Sequence, residues 1–189
     1  GGMYNARGFR EWEIGDIDLI RVGDYYHLFH LVLPNHDYIA HAVSSDCMNW
    51  KRTKNALFTG DPGEWDDDML WTMHVTRNEE LQLYEMFYTG LQQRENGNVQ
   101  RIGRAVSTDL LHWQKENWLN LPLAPDGNFY EKLEGSKRRW VSFRDPYLYR
   151  HNGEEWLLVC ARTTTGEINR RGCVGLVKKE DNRYIEKPP

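Results

Sequence analysis

A nine-residue pattern occurs twice in the chain. The segment Ala42–Trp50, AVSSDCMNW, returns as Ala105–Trp113, AVSTDLLHW, at an offset of 63 residues. Each copy follows two runs rich in aromatic and β-branched residues, which are separated by turns containing Gly, Asn or Asp. A unit of this size that recurs is typical of the blades of a β-propeller. The repeat therefore restricts the chain to similar small sheets placed side by side.

Three such units can be traced, and they predict a single all-β domain over residues 1–189. The predicted blades are 14–52, 65–116 and 140–180, and their strand-like runs are 17–22, 25–33, 38–44, 70–77, 83–91, 99–107, 140–150, 155–162 and 172–178. No segment has the period of a long amphipathic helix. The stretch 117–139 contains Pro122, Pro125, Gly127 and Gly135, lacks clear periodicity and is predicted to connect two blades. We interpret Trp50 and Trp113 as filling equivalent positions between blades.

Composition limits the classes of partner. The net charge of -4 and the pI of about 6.0 give no basic field for nucleic acid or for an anionic membrane. The 8 Trp and 10 Tyr suit both core packing and stacking on sugar rings. The three Cys have no C-x-x-C spacing, so we predict neither a disulfide framework nor a zinc site. We expect no membrane span, no metal and no cofactor.

The compartment follows from the cysteines and the N-terminus. Cys47, Cys160 and Cys173 are interpreted as reduced core thiols, which favours the cytoplasm. The start, Gly1 to Tyr4, lacks the charged and apolar regions of a secretion signal. Secretion stays open for a chain from which a signal peptide has been removed.

Acidic residues stand at the heads of two of the strands that would surround the propeller axis. Asp16 and Asp18 open the first strand of the first blade, and the period of two places them on one face. Asp145 lies in the tripeptide Arg144-Asp145-Pro146, and Pro146 marks a strand start because it has no N–H for a ladder. Taken alone, this tripeptide also fits a surface turn with a local ion pair. A carboxylate pair at the axis is the arrangement that glycoside hydrolysis uses.

Four stretches in order resemble the catalytic propeller of glycoside hydrolase families 32, 68 and 43. They are GDIDLIRV at 15–22 followed by YYHLF at 25–29, Trp71 followed by MFYTG at 86–90, AVSTDL at 105–110 with Trp113, and FRDP at 143–146. The resemblance covers nearly the whole chain and implies a five-bladed propeller, of which about three blades are present here. It also implies a glycoside or oligosaccharide as the partner.

The resemblance assigns roles to individual residues. Asp16 falls on the family's first-blade aspartate, a nucleophile in family 32 and a general base in family 43, although Ile17 stands where the family has Pro. Asp145 falls on the aspartate that grips sugar hydroxyls and stabilises the transition state, with Arg144 orienting it or binding substrate. Trp71 matches an aromatic residue near the bound sugar.

Three further residues are candidates for substrate binding. Asp68 ends the acidic stretch 66–68, which would lie at the rim of the site and which otherwise reads as a solvated loop. Asp18 shares the strand head with Asp16, and His74 lies on the first strand of the second blade. His27 and His30 are three residues apart on a strand and therefore do not form a joint metal site.

The resemblance also leaves one role unfilled. The family's general-acid Glu lies in the blade after Arg-Asp-Pro, and this sequence reaches Pro189 before such a blade begins. The hypotheses are a hydrolase of a fructoside, arabinofuranoside, xyloside or related small glycoside, a non-catalytic sugar-binding propeller, and a fragment that self-associates through open blade edges. The sugar, the linkage and the stereochemical outcome stay open.

Overall fold

The computed structural model describes residues 13–117, 120–133 and 140–189, and within them it confirms the all-β prediction. Antiparallel strands form three sheets, and each sheet is built from strands that are consecutive along the chain. The only helical elements among these residues are two single turns of 3-10 helix, Gln93–Glu95 and Ile168–Arg170. The N-terminal segment on which the secretion argument rests, and parts of the predicted blade connection at 118–119 and 134–139, lie outside the described residues.

The first sheet, blade 1, contains five strands. They are β1 (Glu13–Val22), β2 (Tyr25–Leu33), β3 (Tyr38–Ser44), β4 (Lys51–Arg52) and β5 (Leu57–Phe58). β1 to β4 form a meander in chain order, and β5 also pairs with β3. β1 is the first strand of the meander and contacts β6 of the neighbouring sheet, which makes it the inner strand of this blade.

Blades 2 and 3 repeat the four-stranded meander. Blade 2 consists of β6 (Met69–Asn78), β7 (Leu83–Leu91), β8 (Arg101–Ser107) and β9 (Gln114–Glu116), and blade 3 of β10 (Arg144–His151), β11 (Glu154–Arg162), β12 (Gly172–Glu180) and β13 (Arg183–Lys187). The inner strands β1, β6 and β10 contact one another in sequence. The strand heads that carry the candidate carboxylates are therefore neighbours in space.

The repeated nine-residue pattern forms the same turn in blades 1 and 2. Asp46 Oδ1 accepts the N–H groups two and three residues later at 2.9 and 2.8 Å, and Asp109 Oδ1 does the same at 2.9 and 2.8 Å. These backbone hydrogen bonds hold the pKa of both carboxyl groups well below the usual range. The Nε1–H of Trp50 and that of Trp113 each donate to the carbonyl three residues earlier, at 3.2 and 2.9 Å. The repeat is thus a turn in which aspartate replaces missing backbone acceptors.

Apolar clusters join the blades. The cluster between blades 1 and 2 contains Phe29, Leu70, Met86 and Tyr88, all buried. Trp113 packs against it in an edge-to-face arrangement with Phe29, the two ring centres being 5.7 Å apart, which confirms the inter-blade position predicted for Trp113. Burying a side chain such as Phe29 contributes about 1.5–3 kcal/mol.

A second cluster lies between blades 2 and 3 and includes part of the connection between them. Its members Phe87 and Leu157 are fully buried and belong to opposite blades. Leu123, from the connection, exchanges backbone hydrogen bonds of 2.9 and 2.7 Å with Ile102 of β8. The described part of the connection, 120–133, therefore contacts both blades, because Asn120 and Tyr130 form hydrogen bonds with blade 3.

Candidate active site

Each inner strand is bulged near its head. The antiparallel register shifts between Ile14 and Ile17 in β1, between Trp71 and Met73 in β6, and between Arg144 and Tyr147 in β10. A bulge leaves one extra residue unpaired and redirects nearby side chains. Asp16, Thr72 and Asp145 all lie inside these bulges. Three equivalent irregularities thus place polar side chains from three blades around one point.

That point is a cavity of about 670 Å³ between the strand heads. It is lined by Gly15, Asp16, Ile17, Thr72, Met73, Asp145, Pro146 and Tyr147. Its volume lies in the range of small-molecule sites, and its lining combines apolar walls with a few polar groups. The structure therefore brings Asp16 and Asp145 together in one cavity, and these are its two acidic lining residues.

Asp145 is held by hydroxyl groups of blade 2. Thr72 Oγ1 donates to Asp145 Oδ1 at 2.5 Å, and the Asp145 N–H donates to Thr89 Oγ1 at 3.3 Å. Asp145 has a φ of 58°, in the left-handed region that non-glycine residues rarely adopt. The hydrogen bonds with Thr72 and Thr89 thus stabilise Asp145 in a backbone conformation that its own steric preference disfavours.

Arg144 lies beside this carboxylate but is oriented by neutral groups. Its Nη1 is 3.2 Å from Ser142 Oγ and 3.4 Å from Gln100 Oε1, whereas its Nε is 4.0 Å from Asp145 Oδ2. Gln100 is buried and also accepts the Phe143 N–H at 2.9 Å. The guanidinium is therefore positioned next to the cavity without a close ion pair to Asp145.

Asp18 does not line the cavity. The bulge in β1 interrupts the alternation that would have kept Asp18 on the same face as Asp16. Asp18 Oδ2 instead accepts the Val75 N–H of blade 2 at 2.7 Å. Burial raises the pKa of Asp18 to about 6, although hydrogen bonds from the Val75 and Leu19 backbones act in the opposite direction.

His74 takes the corresponding place between blades 2 and 3. Its Nδ1 accepts the Leu148 N–H at 2.9 Å, and its ring stacks on Tyr147 with centroids 4.3 Å apart. Burial, assisted by the positive charge of Arg150, lowers the pKa of His74 to about 4. The imidazole thus contacts the lining residue Tyr147, but His74 is not itself part of the cavity lining.

Trp71 precedes the lining residue Thr72 in β6 and is not itself part of the cavity lining. Its indole is half-buried, and its ring centre is 6.3 Å from that of His36, in the turn after β2. Within the described parts of the chain, Trp71 Nε1 and His36 Nδ1 are buried polar atoms with no hydrogen-bond partner. Such atoms are uncommon in folded proteins. Sequence reasoning missed His36, because a histidine in a Pro-Asn-His-Asp turn fits an ordinary connection.

The acidic stretch 66–68 before β6 is not a solvated loop, because Asp66 and Asp67 form hydrogen bonds with the rest of the protein. Asp66 is buried and accepts hydrogen bonds from the Tyr88 hydroxyl at 3.0 Å and from Lys115 Nζ at 2.7 Å. Asp67 accepts the N–H groups of two loop residues at 2.8 Å each. Asp68 is half-buried at the start of β6, outside the cavity lining.

Ranges 13–117, 120–133 and 140–189 hold no group of three or more His, Cys, Asp or Glu placed to bind a metal ion. No helix in the same ranges is long and apolar enough to cross a membrane.

The fold and the cavity define a class: propellers whose inner strands present acidic residues to a shared funnel. The family model described as "Glycosyl hydrolases family 32 N-terminal domain" matches residues 16–183, so the chain belongs to this family. A search of curated proteins found no match.

Solved structures of glycoside hydrolases share the fold. Fructan 1-exohydrolase IIa from Cichorium intybus superposes with a TM-score of 0.69 at 20% identity, covering 92% of this chain and 31% of its own. A family 32 β-fructofuranosidase of Bombyx mori gives 0.65 at 18% identity, covering 92% and 34%. A family 117 glycoside hydrolase of the marine bacterium Zobellia galactanivorans gives 0.75 at 14% identity, covering 100% and 59%. The chain thus spans about a third of the first two proteins.

Proposed function

We propose that the chain forms the sugar-binding part of a glycoside hydrolase that acts on a furanoside or a related small glycoside. The observation that carries the proposal is the presence of Asp16 and Asp145, from different blades, in one cavity of about 670 Å³. Membership of family 32 supports the same class of reaction. The fructan, sucrose and galactan enzymes among the structural neighbours support a carbohydrate substrate without selecting one.

We assign Asp16 the role of the carboxylate that acts at the anomeric carbon of the sugar. It is exposed in the cavity and lies in the bulge of β1. A glycosyl transition state carries positive charge, and a carboxylate on one face of the ring stabilises that charge or attacks the carbon. The bulge leaves Asp16 without a backbone partner on β2 and redirects its side chain, which lines the cavity.

Asp145 is assigned to the sugar hydroxyls. Its Oδ1 is engaged by Thr72, whereas Oδ2 lies 4.0 Å from Arg144 Nε, too far for a hydrogen bond. A carboxylate that accepts from a sugar hydroxyl contributes more as charge develops on the ring. The apolar side chains Ile17, Met73 and Tyr147 then face the carbon-bound hydrogens of the sugar.

A second candidate function is sugar binding without turnover. Cleavage of a natural glycoside requires an acid that protonates the leaving oxygen. Asp16 and Asp145 already have other roles in the proposal, and the cavity lining contains no third acidic side chain. This observation favours a chain that binds sugar and needs an acid from elsewhere to cleave natural substrates.

Dinitrophenyl glycosides test both candidates, because dinitrophenolate departs without protonation. We would measure its release from the fructofuranoside, arabinofuranoside and xyloside by the wild-type chain and by Asp16→Asn and Asp145→Asn. The matched control is Asp24→Asn, an exposed carboxyl at the opposite end of β1. The proposal expects release from one sugar, a loss of about 100-fold or more in Asp16→Asn, and wild-type rates in the control.

Sugar binding is measured in the same samples by calorimetry. Binding that weakens in Asp145→Asn without any release supports the binding module. If no sugar binds and none is cleaved, both candidate functions are wrong.

A further inference from the structure

Thr72 is the unpaired residue of the β6 bulge. Trp71 pairs with Thr89, and Met73 pairs with Tyr88, so Thr72 is the one residue between them that has no partner on β7. Its hydroxyl reaches across to Asp145, which lies in the bulge of β10. The two residues are 73 positions apart in the chain and belong to different blades.

Asp145 needs external contacts to keep its orientation. A side chain on a left-handed backbone, here with a φ of 58°, is held in place only if its surroundings fix it. Thr89 Oγ1 accepts the Asp145 N–H and is itself fully buried, so it fixes the backbone. Thr72 Oγ1 donates to Oδ1 and so fixes the carboxylate. The two threonines of blade 2 thus act on different parts of the same residue.

We propose that Thr72 is a positioning residue that holds Oδ1 of Asp145 and so directs Oδ2 into the cavity for hydrogen bonding to a sugar hydroxyl. The inference rests on the proposed function. Thr72 acts through Asp145, and its hydroxyl has its single proton committed to Oδ1. Without that bond the carboxylate keeps the Cys160 thiol, a weak donor, as its remaining side-chain hydrogen-bond partner, so it can rotate about its side-chain torsions and the distance to the sugar is no longer set.

A contact between blades could instead serve stability alone, and Thr76 provides a matched control for this. Thr76 lies on the same strand, and its Oγ1 accepts a hydrogen bond from Arg150 Nη1 of blade 3 at 3.3 Å. Thr76→Val therefore removes a hydroxyl contact between the same two blades, away from the cavity. Thr72→Val removes the hydroxyl at nearly constant volume, and Thr72→Ser restores it.

The kinetic test uses the dinitrophenyl glycoside that the wild-type chain cleaves. A hydrogen bond to a charged group corresponds to about 10- to 100-fold in rate, so we expect Thr72→Val to lower kcat/KM by that factor, chiefly through kcat. Thr72→Ser should return to within about threefold of wild type, and Thr76→Val should stay within about twofold. Wild-type kcat/KM in Thr72→Val, or no recovery in Thr72→Ser, would overturn the inference.

Crystal structures of the three variants test the inference independently of any turnover. We expect the Asp145 carboxylate to leave its position in Thr72→Val and to keep it in Thr72→Ser and Thr76→Val. An Asp145 that stays in place in Thr72→Val overturns the inference whatever the sugars do. Absence of sugar binding and cleavage in the wild type, by contrast, overturns the proposed function while the crystal structures still decide the role of Thr72.

Discussion

Asp18 and His74 occupy equivalent positions in two joints between blades. Both accept a backbone hydrogen bond from the next blade, although one side chain is an acid and the other a base. Each is the second paired residue after the bulge of its inner strand, opposite Phe29 and Phe87 respectively. Each accepts one backbone N–H from the next inner strand, Asp18 at 2.7 Å and His74 at 2.9 Å. Burial raises the pKa of the acid to about 6 and lowers that of the base to about 4, so it favours the neutral form in both cases.

The two joints also differ in what surrounds these acceptors. The joint between blades 1 and 2 is mainly apolar, with Phe29 at its centre. The joint between blades 2 and 3 contains Glu85, which is fully buried and lies 2.7 Å from Arg104 Nε and 2.8 Å from Arg150 Nη2. Blades 1 and 2 are therefore joined mainly by apolar packing, whereas blades 2 and 3 also share a paired buried charge. The second kind of joint is more vulnerable to the loss of one partner.

Glu85→Ala should give the largest effect, because it removes the buried carboxylate shared by Arg104 and Arg150. We expect the free energy of unfolding to fall by about 3–5 kcal/mol in urea titrations. Glu79→Ala is the control, since Glu79 is 81% exposed in its pair with Arg77 and should change stability by less than about 1 kcal/mol. Equal losses in both variants would show that the buried pairing does not stabilise this joint.

His74→Leu should have the next largest effect, because it leaves the Leu148 N–H without its acceptor. The expected loss at pH 7.5 is about 1–3 kcal/mol. The folded-state pKa of His74 lies below its unfolded value of 6.5, so wild type itself loses stability as the pH falls from about 6.5 to about 4. The gap between wild type and variant should therefore narrow over that window. A difference in the free energy of unfolding that is constant with pH would contradict a neutral His74 that accepts the Leu148 N–H. His74→Asn can still accept this hydrogen bond and should recover part of the loss.

Asp18→Asn should act in the opposite direction and stabilise the protein at pH 7.5. The folded-state pKa of about 6 exceeds the unfolded value of 3.8, so the wild-type carboxyl loses stability as the pH rises from about 4 to about 6. The amide keeps an acceptor for the Val75 N–H and does not ionise. After allowance for partial exposure, we expect a gain on the order of 1–2 kcal/mol at pH 7.5 and almost none at pH 4. Thermal unfolding at both pH values measures it, and a gain at pH 4 of the same size would rule out titration of Asp18 as the cause.

Trp113→Phe should produce the smallest effect, since a ring remains in the apolar joint. It loses the edge contact with Phe29 and the hydrogen bond to the Leu110 carbonyl. The expected cost is about 0.5–1.5 kcal/mol, measured by urea unfolding. Tyr25→Leu, at a ring that is 54% exposed, should cost less than about 0.5 kcal/mol. The reverse order would mean that Trp113 does not secure the joint.

The fold could largely be predicted because its signals are local. Runs at 25–33, 38–44 and 83–91 have the bounds of β2, β3 and β7, since apolar and β-branched residues fill each run and a turn follows it. The outer strands β4 and β9 escaped prediction because Lys51–Arg52 and Gln114–Glu116 are short and polar. Their pairing depends on the neighbouring strand more than on their own sequence.

The candidate site could be predicted only in part. Asp16 and Asp145 follow from their positions at two strand heads, and both lie in the cavity. Asp18 was placed beside Asp16 by the period of two, which the bulge in β1 interrupts. Thr72 and Thr89 escaped prediction, because a threonine in a strand has no distinguishing pattern and a bulge depends on contacts between blades. The period of two predicts the face of a side chain only in a regular strand, because a bulge of one residue moves the residues after it to the other face.

The consecutive order of strands within each sheet has a consequence for synthesis on the ribosome. Every strand of blade 1 lies within residues 13–58, N-terminal to all strands of blade 2. Hairpins form in about 1–10 μs, whereas the chain grows at about 5–20 residues per second, so each meander can pair before the next emerges. An error in strand pairing then involves the strands of one blade. The hydrogen bonds accepted by Asp18 and His74 form only when the next inner strand docks in its correct register.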